Sequence, residues 1–368
     1  MATSSTGLSA YIEQSPPLDF SVPFEDTWVK DRTIVVTGGA SGFGAGFVRR
    51  WAMNGAVMIV GDVNVEKGDA LARAIRKETG RDGAAHFVYC DVTDWQSQVN
   101  LFKEAVRLSP HGGIDTVVAN AGIQAKDRLQ EPGDLSAAEP QAPSFATMDV
   151  NVTGVLYTTH LAYYWLPKNP GSKRCNMNSV PDQQRRDRNL VLLGSMASLA
   201  PIGAAPLYGA SKHAVLGLFR SLRATSHMEG IRVNMVLPYF IDTAIVPPVA
   251  KLLLAGGGMG EVEDVVEAAT RVVADTRIVG RGIVVGPKVA VKQDESGEFK
   301  LVTKGTEGST ETALWEPYAD DWQEVDVFNR RIVRILNAVE QARGWAGWAA
   351  DVVKLAGYRI FGLGKGRW

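Results

Sequence analysis

Residues 37–44 read Thr37-Gly38-Gly39-Ala40-Ser41-Gly42-Phe43-Gly44, directly after the apolar, β-branched run Thr33–Thr37. Glycine lets a backbone turn sharply and lie close against a ligand. A strand, this turn and a helix over Gly44–Asn54 form a cradle for a pyrophosphate. The helix N-terminus adds free N–H groups and the positive end of its dipole. A glycine-rich turn alone is weak evidence; its place between a first strand and a first helix gives it weight. The next strand leads to Asp62, 18 residues beyond Gly44. A carboxylate there can accept both ribose hydroxyls and repels a 2′-phosphate, which favours NAD over NADP.

Outward from this turn the chain alternates regularly. Apolar runs predict strands at Thr33–Thr37, Val57–Gly61, Ala85–Cys90, Thr116–Ala119, Leu190–Leu193, Ile231–Leu237 and Gly282–Val285. Helical periodicity fills the gaps over Gly44–Asn54, Val65–Glu78, Trp95–Leu108, Phe145–Leu166, Pro206–Met228 and Val262–Ala274. This pattern implies an α/β fold built on a doubly wound parallel sheet with helices on both faces. Strands covered on both faces read as continuous apolar runs, as these do.

The chemistry concentrates in Leu207-Tyr208-Gly209-Ala210-Ser211-Lys212. Positions i and i+4 share a helix face, so Tyr208 and Lys212 lie together. A phenol ordinarily titrates near ~10, too high for a base at neutral pH. A neighbouring ammonium is expected to lower that value. Ser195 stands 13 residues before Tyr208, at the end of a strand, where it faces the ligand crevice.

These motifs together resemble the short-chain dehydrogenase/reductase family over roughly residues 32–290. Thr37–Gly44 is similar to its TGxxxGxG turn, Asn120-Ala121-Gly122 to its NAG motif and Tyr208–Lys212 to its YxxxK. Asn151, Ser195, Tyr208 and Lys212 fall where that family keeps its catalytic tetrad, and Asp91-Val92 matches the pair beside the adenine. Arg232-Val233-Asn234 through Pro238, Ile241-Asp242-Thr243-Ala244-Ile245 and Val279-Gly280-Arg281-Gly282 resemble the hydroxyprostaglandin dehydrogenase branch.

The resemblance implies a Rossmann fold and an NAD-dependent oxidoreductase that interconverts a secondary alcohol and a ketone on a lipophilic small molecule. It implies cofactor contacts at Gly38, Ser41, Gly42, Phe43, Gly44, Asp62, Val63, Asp91, Val92, Asn120, Ala121, Gly122, Tyr208, Lys212, Pro238, Ile241 and Thr243. Tyr208 is then the proton carrier and Lys212 also holds the nicotinamide ribose. Ser195 bonds the substrate oxygen, and Asn151 positions a water. The alternative is a non-redox isomerase or cyclase using the same pocket. Two features depart from the family: Tyr239 follows Pro238 where glycine is usual, and Asn151 and Ser195 are 44 residues apart.

The excess between them lies in residues 168–188. This stretch carries Lys168, Lys173, Arg174, Arg185, Arg186 and Arg188 against Asp182 and Asp187, and reads as a solvated surface insertion. Residues 1–31 read as a polar arm, 32–290 as the dehydrogenase domain and 291–368 as a helical extension. In that extension Trp345, Trp348, Val352 and Leu355 form one helical stripe. The expectation is a helix docked on protein; the alternative is an amphipathic membrane anchor.

Composition bounds the rest. The 368 residues are 45% hydrophobic and carry a net charge of -1, enough for a core and with no electrostatic pull toward nucleic acid. Cys90 and Cys175 form neither a CxxC pair nor a metal cluster, so neither disulfide nor metal is expected. With neither a secretory signal nor an apolar span of ~18 residues, the expected location is cytoplasmic. A homodimer or homotetramer is the expected assembly.

Overall fold

The computed structural model describes residues 15–317 except 127, 132, 176–177, 181–185, 204, 242, 244–257 and 296–298, with scattered positions from 335 to 353. The chain forms two compact units, residues 13–319 and residues 1–12 with 320–368.

The larger unit holds the parallel sheet. Its strands are β1 (Thr33–Thr37), β2 (Val57–Asp62), β3 (Ala85–Tyr89), β4 (Thr116–Ala119), β5 (Asn189–Leu193), β6 (Arg232–Pro238) and β7 (Gly282–Gln293). Every residue of β1 is buried. Its side chains alternate: Ile34 and Val36 enter one core with Phe47, Trp51 and Met58, while Val35 enters the other with Ile59, Leu101 and Phe102. Helices α1 (Gly42–Met53), α2 (Val65–Thr79), α3 (Trp95–Leu108), α4 (Ala146–Met148), α5 (Val155–Trp165), α6 (Pro206–Thr225) and α7 (Val262–Ala274) connect the strands. Local chemistry sets their ends. Asn64 caps α2 by accepting from the Lys67 N–H at 2.9 Å, and Gly80 leaves it at φ +65°.

The strand order is β3-β2-β1-β4-β5-β6-β7. β1 pairs in parallel with β2 (Thr37↔Gly61) on one side and β4 (Val36↔Val118) on the other. The order in which strands are added therefore reverses between β1 and β4, and a crevice opens beyond their C-terminal ends. The seven strands and six helices expected over residues 33–285 occur, with small changes at their ends except at β7, which runs eight residues further. The helix expected over Phe145–Leu166 is interrupted by a π-helical turn at Asp149–Gly154.

Three expectations need correction. The sheet does not end near residue 290: β7 runs to Gln293, and β8 (Phe299–Leu301) and β9 (Thr310–Trp315) pair with it antiparallel. Polar residues are normal on such an edge, so composition there resembles a loop. The described part of the N-terminal arm is not a free polar tail. Leu18, Phe20, Phe24 and Trp28 pack on the core, and the Arg271 guanidinium lies over the Phe24 ring at 4.7 Å. The insertion is not wholly solvated either. Asp187 is fully buried between Arg32 (3.2 Å) and Arg232 (2.8 Å), and Cys175 is buried too.

In the second unit every described position between 335 and 353 is helical. Trp345 is 70% exposed. Trp348, Val352 and Leu355 lie outside the described residues.

Candidate active site

The crevice is floored by the glycine turn. Gly38 has φ +62°, and a Cβ there would stand 2.7 Å from the Ala121 Cα. A Cβ on Gly44 would collide with the Gly38 carbonyl. The turn and the loop after β4 thus press together as bare backbone. Asn120 locks them, its amide donating to the carbonyls of Thr37 and Gly38 at 2.9 Å each. The Thr37 hydroxyl accepts from the N–H groups of Asn120 and Ala121, at 3.2 Å each. Ser41 precedes α1 without a side-chain cap, and Gly42 follows at φ +53°. The first N–H groups of α1 are left for an anion. Phe43 turns inward onto the core.

Asp62 closes one side. One carboxylate oxygen accepts from the Ala40 N–H at 3.0 Å and the other from the Asn64 N–H at 2.9 Å. Both bonds fix the carboxylate at the end of β2 and leave each oxygen further acceptor capacity. Val63 is exposed beside it. Asp91 folds onto Thr93, and Val92 is buried against Gly154. Bare backbone, uncapped N–H groups and an oriented carboxylate fit a dinucleotide along this wall.

The opposite wall carries the titratable groups. Ser195, just beyond the end of β5, lies near enough to the phenol of Tyr208 to favour its ionised form. Its hydroxyl also lies 3.5 Å from the Pro238 carbonyl and accepts from the Ala197 N–H at 3.1 Å. Lys212 is buried, 5.8 Å from the centre of the Tyr208 ring, and donates from Nζ to the Leu193 carbonyl at 3.1 Å. Asn151 sits in the π-helical turn, fully buried. It accepts from the Ile123 N–H at 2.8 Å and donates to the Ile123 carbonyl (2.9 Å) and the Ser211 hydroxyl (3.0 Å). Gly122 lies beside both Asn151 and Lys212. Asn151, Ser195, Tyr208 and Lys212, scattered over 62 positions of sequence, thus gather at one end of the sheet.

Their electrostatics differ from expectation in one respect. Burial pushes the Tyr208 phenol above its ordinary value, and the nearby Ser195 hydroxyl pulls against it. Lys212 is not among the groups that lower it. Burial pushes Lys212 itself down to about 8. Tyr239 takes the place of a glycine without breaking the strand exit: its N–H donates to the Val285 carbonyl at 2.7 Å. Its ring packs edge-on against Phe240 at 4.9 Å. Ile241 is buried and bridges to Gly260, and Thr243 is half-buried nearby; Asp242, Ala244 and Ile245 lie outside the described residues.

Sequence reasoning passed over three hydroxyls: Thr37, Ser198 and Ser211. Ser211 donates to the Tyr208 carbonyl at 2.7 Å while accepting from Asn151. Ser198 joins Ser195 to Lys212 through two further bonds. Only the Ser195-x-x-Ser198 spacing, a capping pattern, could have signalled one of them.

Comparison with known proteins agrees with this architecture. The short chain dehydrogenase family matches residues 32–252. A 5'-hydroxyaverantin dehydrogenase of Dothistroma septosporum is 32% identical, over 71% of this chain and 86% of its own. An NADP-dependent dehydrogenase of a Phoma species is 31% identical, over 74% of this chain and 80% of its own. The NAD(+) 15-hydroxyprostaglandin dehydrogenase of Mus musculus is 26% identical, over 61% and 72%. Among solved structures, levodione reductase shares the fold, with a TM-score of 0.58 at 23% identity over 70% of this chain and 96% of its own. With its glycine turn, its Ser195–Tyr208–Lys212 cluster and this family match in order along one parallel sheet, the chain belongs to the short-chain dehydrogenase family and is an oxidoreductase.

Proposed function

We propose that this oxidoreductase is NAD-dependent and interconverts a secondary alcohol and a ketone on a lipophilic small molecule. The observation that carries the chemistry is the gathering of Asn151, Ser195, Tyr208 and a buried Lys212 at one end of the sheet, with the Lys212 ammonium 5.8 Å from the Tyr208 ring and held by the Leu193 carbonyl. Tyr208 takes the carbinol proton in oxidation and returns it in reduction. Ser195 donates its hydroxyl hydrogen to the substrate oxygen. A positioned acid/base of this kind typically contributes about 10²–10⁴-fold. When bound, the nicotinamide supplies the hydride chemistry. Lys212 is held by Leu193 within reach of the ribose side of the crevice, and Asn151 anchors the loop after β4 to α6.

The carboxylate of Asp62 supports NAD, since it would repel a 2′-phosphate. Relatives of both cofactor preferences make this a point for measurement. The relatives named for hydroxylated substrates support the alcohol reading. The test is NAD⁺ reduction, followed by NADH absorbance, against a panel of hydrophobic secondary alcohols. Turnover of one or more is expected. No turnover with any alcohol, beside cofactor-independent conversion of an added isomerase or cyclase substrate, would overturn the redox reading.

A further inference from the structure

Ser198 is 1% exposed and stands three residues after Ser195. Its hydroxyl accepts from the Ser195 N–H at 3.2 Å and donates to the Lys212 carbonyl at 2.8 Å. A hydroxyl has one hydrogen to give, so the second bond uses it fully. The first bond is an ordinary cap on the short helical turn Met196–Ser198. The second reaches a different element, 14 residues away in the middle of α6. Lys212 is thereby held twice to the same strand end: its main chain through Ser198, its Nζ through the Leu193 carbonyl. The closed path Leu193–Lys212–Ser198–Ser195 links the strand carrying Ser195 to the helix carrying Tyr208.

We propose that Ser198 is a positioning residue, whose buried hydroxyl sets the distance between Ser195 and α6 and so aligns the Ser195 hydroxyl with the Tyr208 phenol. The idea rests on the redox reading of the site. Without the hydroxyl, the Ser195 N–H and the Lys212 carbonyl lose a buried partner, and the strand end is free to shift against α6. Burial disfavours the phenolate and the Ser195 hydroxyl favours it. Displacing that hydroxyl therefore moves Tyr208 titration to higher pH.

The experiment uses the full chain with Ser198→Ala, Ser198→Cys and Ser198→Thr. Ionisation of Tyr208 is read by ultraviolet difference titration against the same background carrying Tyr208→Phe. This readout needs no substrate. Ser198→Ala is expected to shift the Tyr208 titration upward and lower kcat by about 10–10²-fold, since misplacement of about 1 Å can cost about 10²-fold. KM should change little, and the melting temperature should fall by only a few degrees, as two buried groups lose a partner. Ser198→Cys keeps the shape with weak hydrogen bonding and should reproduce the defect if the alanine variant folds poorly. Ser198→Thr keeps the hydroxyl and should restore both titration and kcat. In a Ser195→Ala background the Ser198→Ala effect should largely vanish, because coupled residues are not additive. An unshifted titration with unchanged kcat in the alanine or cysteine variant overturns the proposal. So does a loss that persists undiminished without the Ser195 hydroxyl. Failure of every alcohol to react would sink the redox reading instead, while the titration still judges Ser198.

Discussion

Replacing the Asp62 carboxylate with a methyl group removes the charge that repels a 2′-phosphate, while the Ala40 and Asn64 N–H groups lose an acceptor. Asp62→Ala is therefore expected to weaken NADH and tighten NADPH, read as dissociation constants by fluorescence titration. Tighter NADPH than NADH binding by the unaltered chain would refute the assignment. Tyr208→Phe removes only the hydroxyl. It should cut turnover by about 10²-fold or more with NADH affinity kept, because the phenol moves the proton and the ring does not. With the phenol raised by burial, phenolate grows with pH, so alcohol oxidation should speed up as pH rises above neutrality. Lys212 offers a stability test. Its folded value, about 8, lies below that of the unfolded chain, so between these values the unfolded state binds more protons and stability rises with pH. Lys212→Met should accordingly raise the melting temperature of the cofactor-free protein at pH 7 and abolish turnover. The stability gain should shrink as pH rises past 8. A destabilised methionine variant at pH 7 would show that the Leu193 hydrogen bond outweighs burial.

At the scale of elements, the glycine turn is the least forgiving. Gly44, in the first turn of α1, lies directly beneath the Gly38 carbonyl, which the Asn120 amide holds. A flexible side chain could yield; these groups cannot. Gly44→Ala should lower dinucleotide affinity at least about 10-fold, by displacing the turn that lies along the pyrophosphate. Equal affinity by calorimetry would mean that the turn adapts. The same turn was legible in advance because its constraint is local. The helices were legible where one face is apolar, as in Trp95–Leu108 and Val262–Ala274, which match at both ends. The π-helical turn holding Asn151 was not: Asp149–Gly154 is made of weak helix formers, but weak propensity does not specify a π turn. Nor was β9, whose partner β7 lies more than fifteen residues earlier.

Across the whole molecule, the insertion returns a single carboxylate to the centre. Asp187 lies between Arg32, which precedes β1, and Arg232, which opens β6. Arg232 in turn donates to the carbonyls of Val272, Val273, Asp275 and Ile278 at the end of α7. Strand, helix and insertion are thus joined at the end of the sheet opposite the crevice. Asp187→Ala strands two buried guanidinium groups and should cost about 3–5 kcal/mol in urea unfolding, as breaking a buried ion pair typically does. A loss under about 1 kcal/mol would mean that the carbonyls alone satisfy both arginines.

Read alone, the sequence determined the order of strands and helices, the glycine turn, Asp62 and the i, i+4 pairing of Tyr208 with Lys212. Each depends on neighbours a few residues apart or on a periodicity that burial imposes. The tertiary structure alone decided what faces those residues. It buried Asp187 and packed Phe20, Phe24 and Trp28 on the core. It set Lys212 on the Leu193 carbonyl, and it buried Tyr208, so that the phenol is raised instead of lowered. Burial and charge pairing depend on groups brought together from distant positions, and spacing along the chain carries no measure of that distance.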